Sequence, residues 1–232
     1  DVFMEVLKLL TMTGEQKLKR IKYKNPEVLK ELFDANKSVI CVVGHYGNWE
    51  WNGPHILGKV SNYEIYSVVK RLTDKRFEKF LTYIRNKDGG NLIPITQTLR
   101  NMIKHRNELT MTIMASDQCP MESEVEYWTK FLNQETPVFL GAEKIAKKLD
   151  YCVVFLKIKK VKRGFYEVDV IKITDTPKLT EDLEITEKHV RLLENAIIEQ
   201  PELWLWSHKR WKYNRKQIKT SITQIYNKNL NS

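Results

Sequence analysis

Cysteine is scarce and scattered in this chain. Cys41, Cys119 and Cys152 stand far apart with no CxxC spacing, which argues against a zinc knuckle and a disulfide framework and makes a reducing compartment the simplest setting. Long apolar runs are lacking too. Nothing approaches the roughly 18 residues that a membrane span requires, and no signal peptide is visible. The chain starts at Asp1 rather than Met, so a membrane-anchoring segment ahead of it is expected to be missing. No low-complexity linker or internal repeat interrupts it, so residues 1–232 read as a single domain. An aromatic ribonucleoprotein motif, a basic zipper and a zinc finger are absent, which leaves a nucleic-acid-binding reading with charge as its one support. A metal hydrolase built on His45, Glu50 and Asp117 would have a poor ligand set with one histidine. No metal and no cofactor are expected.

What the chain does have is positive charge and enough apolar content for a full core. Of 232 residues 42% are hydrophobic, and 39 Lys and Arg face 29 Asp and Glu, a formal charge of +10. Such a surface attracts phosphate, whether of lipid headgroups, nucleic acid or an acidic carrier protein. The field selects a sign and leaves the partner open.

Helical and strand signals alternate along the chain. "DVFMEVLKLL" and "NPEVLKELFDAN" carry apolar residues at helical spacing, the second with Asn25 as a cap and Pro26 in its first turn. "VICVV", from Val39, is a run suited to a buried strand, after which "GNWEWNGPHILGKV" reads as the start of a helix. "EIYSVVK", "GGNLIPI" and "ELTMTIMASDQ" read as strands, separated by the helices "DKRFEKFLTYIRNK" and "TQTLRNMIKHRN". "GAEKIAKKLD" is a further helix, "YCVVFLKIKKVKRGFYEVDVIKIT" a hairpin turning near Arg163-Gly164, and "TEKHVRLLENAIIEQ" a last helix that stops before Pro201. The predicted fold is α/β, with a mixed, mainly parallel central sheet flanked by helices.

The strand from Val39 ends abruptly in "GHYGNWE", residues 44 to 50. Strand ends in α/β proteins are where reacting groups are held rigidly yet open to substrate. His45 and Glu50 are five positions apart, about 140° around an ideal helix, so they meet only if His45 precedes the first helical turn. Gly44 and Gly47 permit that approach, and the N–H groups of the new helix would then be ready to stabilise an oxyanion. A neutral imidazole fixed by a carboxylate suits a general base that takes a proton from an attacking hydroxyl. The spacing alone equally describes a structural histidine near a helix start.

Five blocks, in order, resemble the lysophospholipid acyltransferase-like superfamily, and within it the bacterial lipid A late acyltransferases. "GHYGNWE" is similar to the superfamily's HX4D/E signature in that branch's form. "VVKRLTDKRFEKFLTYIRNKDGGNLIP" resembles its basic block, "ASDQCP" its strand-end Asp-Gln, "FLNQETPVFLGAEKIAKKLDYCVVFLKIKKVKRGFYEV" its proline-glycine block and hairpin, and "PELWLWSHKRWK" its tryptophan-rich close.

The resemblance implies direct acyl transfer from an acyl carrier protein thioester to a hydroxyl of a lipid acceptor, lipid A or its precursor, at the cytoplasmic face of the bacterial inner membrane. Another lipid, such as an amino-acid lipid or a lysophospholipid, is the alternative acceptor. His45 would be the base and Glu50 its orienting partner. Lys70 and Arg71 match the basic block that handles phosphate or phosphopantetheine, with the departure that Lys70-Arg71-Leu72 stands where the family often has Arg-Pro. Arg85 matches the second arginine of that block, and Asp117 and Gln118 would shape the acceptor side of the cleft.

Each of these residues also has a plain reading. Charge runs such as Lys70, Arg71, Lys75 and Arg76 are usually solvated faces, Arg85 can face solvent, and Asp117 can cap a turn. Trp204, Trp206 and Trp211 read as packing anchors, and His55 and His208 as structural. The lysines of the hairpin, Lys157 to Lys162, suit a sheet face bathed in water or resting on anionic lipid.

Overall fold

The structure is a computed structural model that describes residues 2–215 apart from Asp88 and, for Val2 and Phe3, the backbone alone. Its elements in chain order begin with α1 Val2–Lys8, α2 Gly14–Leu18, β1 Ile21–Tyr23, α3 Glu27–Asp34, β2 Val39–Val43 and α4 Pro54–Ser61. There follow β3 Glu64–Val69, α5 Lys75–Asn86, β4 Asn91–Pro94, α6 Thr98–Lys104 and β5 Thr110–Ala115. The chain continues through β6 Tyr127–Phe131, β7 Gln134–Val138, α7 Gly141–Leu149, β8 Cys152–Lys162, β9 Phe165–Thr174 and α8 Glu184–Glu199.

Seven strands form one sheet in the order β1-β9-β8-β2-β5-β3-β4. Every neighbouring pair is parallel except the β8–β9 hairpin, so the α/β architecture with a mixed, mainly parallel sheet is the one the sequence predicts. β2 lies in the middle with helices over both faces, which is why it can be apolar at every position: Val39, Ile40, Cys41 and Val42 are all buried. β9 alternates instead, with Tyr166, Val168 and Val170 turned inward between polar neighbours.

Three local expectations change. The helix after β2 does not start at the glycine: residues 47–53 are turns, and α4 begins at Pro54 behind Gly53. Proline suits a first helical position because its missing N–H would have no intrahelical partner there. Gly47 has a positive φ of 62°, and a Cβ on it would come within 2.8 Å of Ile158, so the chain bends at this glycine. Asn25 does not cap α3. Its amide clasps β9, accepting from the Val170 N–H at 2.9 Å and donating to the Val170 carbonyl at 2.8 Å. The antiparallel pair β6–β7 was not among the sequence expectations. Its two-residue loop is Leu132-Asn133, both at positive φ, the conformation of a tight hairpin turn that sequence reading associates with Asn-Gly.

The last helix is capped from outside. Leu183 at its N-cap offers no side-chain acceptor; the buried Glu143 of α7 supplies one, accepting from the N–H of Leu183 at 2.7 Å, the N–H of Thr186 at 2.9 Å and the Thr186 hydroxyl at 2.6 Å. Glu143→Ala would strand two buried donors of Thr186 and a half-buried one of Leu183, so a loss of about 2–3 kcal/mol is expected. For a chain of this size that is roughly 5–10 °C in Tm, measurable by circular dichroism. An unchanged melting curve would show that α8 does not depend on this cap.

Candidate active site

Strand order creates the site. β2 and β5 run parallel and in register, with Val43 level with Ala115. Two residues beyond each lie His45 and Asp117, and the Ser116 N–H donates to the Val43 carbonyl at 3.1 Å to extend the pairing. Adjacent strands are about 4.8 Å apart, so side chains at matched strand ends meet. His45 Nδ1 lies 2.7 Å from Asp117 Oδ1. β3 ends on the other side of β5, so Lys70 and Arg71 emerge at the same edge of the sheet. Gly44 makes the exit from β2 possible, since a Cβ there would stand 2.7 Å from Leu193 of α8.

Asp117 is the best-held group at this edge. Burial alone would raise its pKa, but hydrogen bonds from the His45 ring, the Trp204 indole (Nε1 to Oδ2, 3.0 Å) and the His45 backbone outweigh that and hold it below the usual carboxylate range. It is therefore ionised at neutral pH and can only accept. His45 Nδ1 then donates to it, and the neutral tautomer compatible with that bond keeps its lone pair on Nε2. His45 lines the cavity described next.

The tryptophan-rich close of the chain, residues 203–211, clamps this arrangement. The Leu205 N–H donates to the His45 carbonyl at 3.1 Å, the Gly47 N–H to the Leu203 carbonyl at 2.9 Å, and the Cys119 N–H to His208 Nε2 at 3.0 Å. Trp204 is enclosed edge-on by Phe131, Trp206 and Trp211. It is a packing anchor, as expected, and also a hydrogen-bond donor to Asp117, a role that tryptophan content alone does not reveal.

Glu50 is placed differently from expectation. It stands in the turn before α4 and does not pair with His45; its carboxylate takes both ends of the Arg85 guanidinium, Nε to Oε2 at 3.1 Å and a second, shorter bond from Nη2 to Oε1. The extra turn between Gly47 and Pro54 turns Glu50 toward α5, and the strand register gives His45 to Asp117. Burial lowers the pKa of Arg85, but the hydrogen bonds and charge of Glu50 raise it by more. The pair ties α5 to the loop that carries the histidine.

A cavity of about 890 Å³ opens at this edge, near the upper end of the range for ligand sites. His45, Glu50, Lys70, Arg71, Arg85 and Gln118 all line it, and Asp117 sits behind His45. The structure thus gathers every candidate residue of the sequence around one space. Trp49 joins them, its ring edge-on to His45 with centroids 5.2 Å apart. Most of the wall is hydrocarbon, including Val43, Val68, Leu81, Ile84, Ile113 and Ile145. Lys70 and Arg71 make no ion pair with a described residue. Among the described residues no group of three or more His, Cys, Asp or Glu could hold a metal ion, and no helix is long and apolar enough to cross a membrane.

The cavity thus joins a mostly apolar wall to an imidazole and two cations at the strand ends. Residues 1–213 match the family described as bacterial lipid A biosynthesis acyltransferase, and the chain belongs to that family. Comparison with curated proteins gives no significant match.

Proposed function

We propose that this member of the lipid A biosynthesis acyltransferase family moves an acyl chain from an acyl carrier protein thioester to a lipid A-type acceptor, with His45 as the general base, at the cytoplasmic face of the inner membrane. The observation that carries this reading is His45, backed by the ionised Asp117, at the polar end of an apolar cavity. The acceptor hydroxyl would lose its proton to Nε2 as its oxygen attacks the thioester carbonyl. The tetrahedral adduct then expels the thiolate, which takes the proton back from the imidazolium, so the products are an ester and a free thiol with no acyl-enzyme between them.

Lys70 and Arg71, which line the cavity, are assigned to the phosphates of the acceptor or of the phosphopantetheine arm. Arg85 is less suited to that task, because its charge is already matched by Glu50. Arg85 and Glu50 together are assigned to holding the His45 loop, with Gln118 at the acceptor side.

Purified protein should therefore convert a lipid A precursor and an acyl carrier protein thioester into a product heavier by one acyl chain, read by lipid mass spectrometry. Acylation of a lysophospholipid or an amino-acid lipid in preference would move the acceptor within the same chemistry. Transfer from coenzyme A thioester as fast as from the carrier protein would overturn the donor assignment.

A further inference from the structure

α5 has the apolar spacing of a helix packed by one side, with Phe77, Phe80, Leu81 and Ile84 together, yet that side is only partly covered. Its apolar residues outnumber what the core uses, and Ile84 is its one buried side chain. Phe77, Phe80 and Tyr83 recur at every third position, which draws an aromatic stripe along one flank. Phe77 is 49% exposed and Tyr83 63%, and the rings of Phe77 and Phe80 stack at 6.1 Å. Phe80 packs against the core, so two rings of this row, Phe77 and Tyr83, are left largely exposed, more than a scatter of single exposed residues.

Phe77 and Phe80 stand one turn before the cavity-lining Leu81 and Ile84 on the same helix, whereas Tyr83, further round the helix, does not line the cavity. Leu81, Ile84 and Arg85, on the inner side of the same helix, line it, and so do Leu72, Ile95 and Met121, which are 39%, 51% and 52% exposed. A residue that both lines a cavity and faces outward lies at its mouth. The mouth is therefore rimmed by hydrocarbon. Charge accompanies it: between residues 70 and 79 there are five basic and two acidic side chains, and Lys75, Arg76 and Lys79 form no ion pair with a described residue.

We propose that the α5 stripe, with the apolar rim beside it, is the surface by which the protein seats itself in the headgroup layer of an anionic lipid bilayer, so that the cavity mouth opens onto the membrane. Tyr favours that layer and Phe supplies the apolar face of an interfacial helix, while flanking Lys and Arg are attracted to an anionic leaflet. The inference rests on the acceptor being a lipid. Drawing a multi-chain lipid into water costs about 0.8 kcal/mol for each exposed CH2, so a mouth that faces the bilayer spares most of that cost. An acidic protein would be met by the cations but has less use for the exposed Phe77 and Tyr83 rings and the apolar rim.

The test is sedimentation with vesicles of phosphatidylglycerol and, separately, of phosphatidylcholine. Wild-type protein should partition to the anionic vesicles, and the Phe77→Ser/Tyr83→Ser variant should bind them about tenfold more weakly or worse. Lys75→Glu/Arg76→Glu/Lys79→Glu should lose the preference for anionic over neutral lipid. Turnover of Phe77→Ser/Tyr83→Ser on acceptor dispersed in detergent micelles should match wild type, which also shows that the variant is folded. The proposal is overturned if that variant binds vesicles as wild type does, if wild type binds neither vesicle, or if the variant keeps vesicle binding and loses binding to acyl carrier protein. His45→Ala should bind vesicles as wild type does. Full activity in that variant would defeat the catalytic assignment and leave the docking surface standing.

Discussion

His45→Ala is expected to lower acyl transfer by about 10²–10⁴-fold, the usual loss when a general base is removed, while the protein stays folded. The side chain is 23% exposed, meets Trp49 at a ring edge and makes a hydrogen bond to Asp117, so its truncation removes little core packing. Asp117 would keep the Trp204 indole and the His45 backbone N–H as donors. The stability cost of one lost partner at a buried carboxylate is about 1–3 kcal/mol, small beside the rate effect. Turnover with carrier thioester and lipid acceptor, measured together with a thermal melt, separates the two. A folded His45→Ala protein with wild-type turnover would sink the mechanism. Glu50→Gln should lose less, because Glu50 acts on the histidine only through Arg85 and the loop.

The distance between what the sequence disclosed and what it hid has a physical pattern. β2 was legible because a strand covered on both faces must be apolar throughout, and α5 and α8 because their spacing is helical. Local turn chemistry was less so. Leu132-Asn133 makes a tight hairpin with no glycine, so the usual signal was absent, and Asn25, a natural cap by type, spends its amide on Val170. The seven polar candidates were legible from strand ends and from the family-like blocks, whereas Trp49 beside His45 and the Trp204 indole on Asp117 were not. Nor was the pairing of His45 with Asp117. Asp117 is 72 positions from His45, and what brings them together is that β5 inserts beside β2 after two intervening strands, β3 and β4. Glu50 is near in sequence and was the natural partner until Gly47 and Pro54 turned it toward α5. Once strand order is known, register alone predicts the His45–Asp117 pair.

Asp117→Asn should be nearly as damaging as loss of the histidine, roughly 10²–10³-fold in kcat, within the range for disabling a general base. The reason is a count of acceptors. In the native site two side-chain donors reach the carboxylate on different oxygens, His45 Nδ1–H at Oδ1 and Trp204 Nε1–H at Oδ2. Asparagine offers one oxygen and one NH2. If the oxygen faces Trp204, the amide donates to His45 Nδ1 and drives the ring proton to Nε2, the atom that must be free. If the oxygen faces His45, two donors collide at the indole and the negative charge that would stabilise the imidazolium is gone. Trp204→Phe alone keeps the charge and the Nδ1 bond, so a loss of about tenfold or less in kcat with little change in KM is expected for this positioning residue, a cost in the range of one hydrogen bond to a charged group. The double variant supplies the sharper result. With the indole removed, asparagine is free to turn its oxygen to His45, so Asp117→Asn/Trp204→Phe should be more active than Asp117→Asn, a sign of coupling that independent sites do not show. Acid unfolding checks the charge separately. Because the pKa of Asp117 is depressed in the fold, its contribution to stability is complete above the ordinary carboxylate value of about 3.9 and is lost as pH falls through the depressed one; Asp117→Asn should lack that part of the acid transition. Additive rate losses in the double variant, or kcat unchanged in Asp117→Asn, would return Asp117 to the simpler task of capping a turn.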